Sequence, residues 1–107
     1  MIQGIRTTPI YQKQKPERNP KYLAFIRRLP CVACLSNRGV EASHFGPHGI
    51  GQKSSDLQTL PLCHKCHRTG PNAYHKLGPR RFAEFHNLDP QALIQKFNTF
   101  WEEKMAA

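Results

Sequence analysis

A small α+β domain is what this sequence predicts, on three observations. Two CxxC pairs, Cys31–Cys34 and Cys63–Cys66, frame a stretch with short alternating, strand-like segments. Capped segments with apolar residues at helical spacing stand before and after that stretch. Residues 1–18 contain Thr7-Thr8-Pro9 and alternating Lys and Gln with almost no apolar pattern, a composition that predicts a flexible basic arm. The expected division is therefore an arm over 1–18 and one folded domain over 19–107.

A chain of 107 residues with 38% hydrophobic content buries only a modest core and benefits from a staple. The N-terminus lacks an apolar leader, and the longest strongly apolar run, Tyr22 to Ile26, is far too short to span a bilayer. A soluble, cytoplasmic protein with no membrane contact is expected. The net charge is +9, and residues 1–38 carry eight Lys and Arg against one acid, Glu17. Residues 39–88 carry six against three. Such a balance suits a polyanion, of which nucleic acid is the commonest, with a solubilising tail as the alternative.

Taken in order, Asn19-Pro20 reads as cap and first turn of a helix. Tyr22, Leu23, Phe25, Ile26 and Leu29 supply its apolar face, and Pro30 stops it. Cys31 and Cys34 follow at once, and Ser36 to Gly39 is a turn. Val40 to Phe45 alternates as a strand, and Gly46 to Gly51 is a glycine-rich loop. Leu57 to Leu62 is a second strand, interrupted or ended at Pro61. Cys63 to Arg68 should enter a helix that falters at Gly70-Pro71. A further helix runs from Arg80 to His86 with Phe82 and Phe85 inward. Asp89-Pro90 caps a last helix, Gln91 to about Met105, on which Leu93, Phe97, Phe100 and Trp101 are expected in the core.

The cysteines carry the strongest chemical signal. Two CxxC pairs separated by 28 residues offer four thiolates, the set that tetrahedral zinc prefers. With no open position such a zinc, on Cys31, Cys34, Cys63 and Cys66, would be structural. A redox role is the alternative, but no thioredoxin-like βαβ pattern surrounds either pair. Five of the six histidines lie between residues 42 and 75, together with Asp56. His44 ends a strand, Asp56 precedes the returning strand and His67 follows Cys66 directly. A strand–loop–strand–helix unit can bring these three around one point, where imidazole and carboxylate suit a divalent cation with open positions.

Read together, Ala42-Ser43-His44, the Gly49-Ile50-Gly51-Gln52-Lys53-Ser54-Ser55-Asp56 loop and Pro61-Leu62-Cys63-His64-Lys65-Cys66-His67 resemble the HNH, or ββα-metal, nuclease superfamily. The pattern is similar to phage and prophage HNH proteins related to the recombination-associated Ref nuclease. It covers roughly residues 30–78. The resemblance implies a zinc-stapled ββα-metal core with flanking helices, and a metal-dependent DNA endonuclease acting in recombination or DNA processing. It implies His44 as general base on water. It implies His67, Asp56 and His75 as ligands of a catalytic Mg²⁺, Mn²⁺ or Zn²⁺. Many members carry Asp or His just before the base, where this chain has Ser43. His48 and His64 match no role.

An imidazole at position 44 can take a proton from water near pH 7, while the cation binds the phosphate and leaving oxygen. Lys53 and Arg68 are placed to clamp phosphate, or are simply solvated charges. One rival reading is a Cys₄ zinc knuckle that binds nucleic acid without cutting it. Another is a zinc deaminase, since Pro61-x-Cys63-x-x-Cys66 echoes half of that signature. That chemistry needs a Glu two residues after the His; Phe45 and Gly46 follow His44, so it is rejected.

Overall fold

The computed structural model describes residues 17–45 and 54–107. Over these residues it is an α+β arrangement of one two-stranded antiparallel sheet, four α-helices and a short π-helix. Helix α1 spans Pro20–Arg27, strands β1 and β2 span Val40–His44 and Thr59–Cys63, and helices α2, α3 and α4 span Tyr74–Leu77, Pro79–His86 and Pro90–Ala106.

The sequence signals for helix starts hold. The Asn19 side chain accepts from the Tyr22 N–H at 3.0 Å, and Asp89 accepts from the Ala92 N–H at 3.2 Å, each with proline in the first turn. Helix α1 buries Tyr22 and Ile26 completely, against Leu60 and Leu62 of β2 and Phe97 of α4 in one apolar cluster. Asn98 ties that cluster together, donating to the Tyr22 hydroxyl at 2.8 Å and to the Leu57 carbonyl at 3.0 Å.

Pro61 sits inside β2 rather than ending it, in register with Ala42. A proline survives there because its missing N–H would point away from β1. Its carbonyl does point that way, and accepts from Val32 of the first CxxC at 3.0 Å. The first cysteine pair is thereby bound to the sheet.

The helix expected after Cys63 forms and falters at Gly70-Pro71, but as a π-helix, and two other expectations need correction. Over Lys65–Thr69 the backbone winds wider, with Gly70 N–H donating to the Lys65 carbonyl at 2.8 Å in an i→i+5 bond. The chain then breaks at Gly70-Pro71 and resumes as α2. Phe85 is 59% and Phe100 45% exposed, so neither is core. On α4 the buried stripe is Ile94 and Phe97, with Trp101 half-buried beside it, and Phe100 falls to the side of that stripe. Finally, Glu17 and Arg18 are not free arm. The Glu17 carbonyl accepts from Asp56 N–H at 2.9 Å, and Arg18 Nη1 donates to the Ser54 carbonyl at 2.8 Å. The rest of the predicted arm, 1–16, and the loop residues 46–53, which include Lys53 and His48, lie outside the described residues. Among those described, no helix is long and apolar enough to cross a membrane.

Candidate active site

The four cysteines converge. Cys31 and Cys34 come from the turn after α1, Cys63 ends β2 and Cys66 lies in the wide turn. Their sulfurs all stand within 4.8 Å of one another. Cys34 and Cys63 are 3.6 Å apart, far too long for a disulfide and close to the ~3.8 Å edge of a tetrahedron with 2.3 Å zinc–sulfur bonds. The Cys66 N–H points at the Cys63 sulfur at 3.5 Å, a knuckle geometry. Burial first, and the neighbouring sulfurs second, push the Cys66 thiol up, a penalty that a bound cation removes. The cluster can therefore hold a metal ion. Among the described residues it is the one group of three or more His, Cys, Asp and Glu side chains gathered so closely.

The knuckle fixes His67, which is 5% exposed. Its Nδ1 lies 2.6 Å from Glu41 Oε1, and since a carboxylate only accepts, Nδ1 carries the proton. The lone pair is then on Nε2, which faces His75 Nε2 at 3.0 Å. Burial is the main reason that His67 holds its pKa below the ordinary imidazole value, so the ring is neutral at pH 7. Two imidazole nitrogens about 2.1 Å from a common cation, at roughly a right angle, also stand about 3 Å apart. A carboxylate behind one of them is the usual support for a ligating histidine. The pair could therefore offer two nitrogens to a divalent cation.

Glu41 is the residue that the sequence reading missed. Besides His67 it accepts from His64 Nδ1 at 3.0 Å and from Arg68 Nε at 3.2 Å. Burial alone would raise its carboxyl, but these three donors carry it down to about 2. Arg68, expected on phosphate, is thus bound to Glu41 through Nε, and His64 shares the same carboxylate. Glu41 shares one face of β1 with Ser43. The Ser43 hydroxyl is buried with no hydrogen-bond partner among the described residues.

Asp56, expected as a ligand beside His67, is placed on His44 instead. Its Oδ1 lies 2.8 Å from His44 Nε2 and 3.0 Å from Arg18 Nη1, and its Oδ2 accepts from the Asn19 N–H at 2.8 Å. Burial would raise this carboxyl, yet the bonds from His44, Asn19 and Arg18 outweigh it and hold the pKa below the ordinary aspartate value. His44 therefore donates from Nε2, which leaves Nδ1 as the ring nitrogen turned away from Asp56. Tyr74 connects the two histidine sets. Adjacent in sequence to His75, it donates its hydroxyl to the His44 carbonyl at 2.8 Å and stacks on Phe45 at 4.3 Å.

A family model described as Protein of unknown function (DUF968) matches residues 10–96, most of the chain. The chain belongs to this family. The DUF968 match takes in all four cysteines, Glu41, His44, Asp56, His67 and His75, and ends within α4. No curated protein and no solved structure matches the chain.

Proposed function

We propose that this DUF968 protein is a metal-dependent DNA endonuclease of the HNH kind, with a structural zinc on Cys31, Cys34, Cys63 and Cys66. The observation that carries the reading is the facing pair His67 and His75, backed by Glu41 and tied through Tyr74 to a second histidine that is itself oriented by a carboxylate. A knuckle that only bound nucleic acid would need none of these contacts.

In this reading His44 takes a proton from water on Nδ1. Asp56 fixes the tautomer and the ring plane, and its charge stabilises the imidazolium that forms. Asp56 acts here as the positioning carboxylate of the base. His67 and His75 hold the divalent cation, and Glu41 locks His67 with its lone pair outward. When bound, the cation supplies positive charge to the scissile phosphate and the departing oxygen. Zinc folding energy holds Cys63 and Cys66, and so keeps His67 in place.

The test is cleavage of branched, duplex and single-stranded DNA with Mg²⁺, Mn²⁺ or Zn²⁺. Wild type should cut at least one of them, and His44→Ala should cut about 10²–10⁴-fold more slowly with zinc content and melting point unchanged. No cutting of any substrate by the wild type would leave the zinc knuckle as a DNA-binding module.

A further inference from the structure

A second feature lies between α1 and α4, outside the histidine and cysteine clusters. The two helices leave a groove of about 410 Å³ lined by Lys21, Phe25, Arg28, Trp101 and Lys104. Phe25 and Trp101 are half-buried in it, with ring centroids 5.3 Å apart. Three cations rim these two aromatic rings, and among the described residues no carboxylate lines the groove.

Among the described residues, Arg18, Arg68 and Arg80 have acidic partners, whereas Lys21, Arg28 and Lys104 have none within 4.0 Å. All three are exposed. Positive charge arranged around an apolar aromatic slot matches a ligand that alternates anionic groups with flat apolar rings. A single nucleic-acid strand has that chemistry, with phosphates for the cations and bases for the rings. A lipid surface is anionic but flat, and an acidic peptide offers charge without the rings.

We propose that the groove between α1 and α4 binds a single-stranded nucleic acid, with a base against Trp101 and Phe25 and phosphates on Lys21, Arg28 and Lys104. The site would hold a strand apart from the proposed cleavage centre. It shares with the endonuclease reading only the class of partner, and its test reads binding alone.

Trp101 is the only tryptophan of the chain, so its fluorescence reports on this groove directly. Zinc-loaded full-length protein, without added Mg²⁺ or Mn²⁺, is titrated with a short thymidine oligonucleotide. Quenching of Trp101 is expected. The triple variant Lys21→Gln, Arg28→Gln, Lys104→Gln should bind about tenfold or more weakly, and the slope of log affinity against log salt should fall by about 2. Its melting point should match wild type. Trp101→Phe keeps a ring in the groove and should bind a labelled oligonucleotide within a few-fold of wild type by anisotropy. Binding without quenching, or a triple variant with unchanged affinity, would overturn the proposal. So would quenching by anionic vesicles or polyglutamate with none by the oligonucleotide. Intact groove binding in a protein that cuts nothing would support this site while removing the endonuclease.

Discussion

His67 and His75 meet Nε2 to Nε2 at 3.0 Å although eight residues and a break in the helix separate them. A regular helix would bring together residues three or four apart, not eight. The wide turn over Lys65–Thr69 and the interruption at Gly70-Pro71 are what fold the chain back. His67→Ala and His75→Ala should each lower the affinity for Mn²⁺ or Co²⁺ sharply in calorimetric titration. The zinc content should stay at the wild-type value. A His75→Ala protein with undiminished affinity would remove it as a ligand.

Glu41→Gln tests the support behind that pair. The amide can still accept, but without charge, so His67 is held less firmly in the ligating tautomer. Affinity for the divalent cation should fall about 10–100-fold. His64→Gln, on the other oxygen of Glu41, should change it little.

Asp56 links the site to acid stability. Its folded pKa lies below the unfolded value of about 3.9, so its contribution to stability is present above that pH. It is lost as the pH falls through the folded value. Asp56→Asn should therefore be less stable than wild type at pH 7, with the difference in urea midpoint shrinking below about pH 4. Cleavage should fall as well, because the amide no longer enforces one tautomer of His44.

Cys63→Ser removes one of four sulfurs and should lower the melting point by more than about 10 °C, with loss of bound zinc. Chelation of the wild type should reproduce that loss. Full zinc content in Cys63→Ser would rule out the four-cysteine site.

Deleting residues 1–16 takes away Arg6, Lys13 and Lys15 but leaves Glu17 and Arg18 on Asp56. The shortened protein should melt like wild type and bind DNA with weaker salt dependence. Extending the deletion through Arg18 should lower the melting point, because Asp56 loses a donor and a backbone partner.

The cysteine site and the helix caps were legible because their signals are local: ligand spacing within four residues, or a side chain reaching three residues ahead. Glu41 was not. Its partners lie 23 to 27 residues away, and nothing in a lone acid on a strand announces them. For Asp56, spacing places a carboxylate near the histidines without saying which one it faces, and the fold sets it on His44. Phe85 and Phe100 show the limit of periodicity. A helix covered on one narrow side exposes aromatics that a 3.6-residue pattern counts as inward.

Pro61 has a consequence for assembly. The outer edge of β2 has no N–H to offer at its centre, and the carbonyl beside that gap is taken by Val32. A foreign strand therefore finds no donor at this position and an acceptor already engaged, which disfavours pairing along that edge. The residue that anchors a cysteine knuckle is thus also the one that interrupts the pairing edge of the sheet.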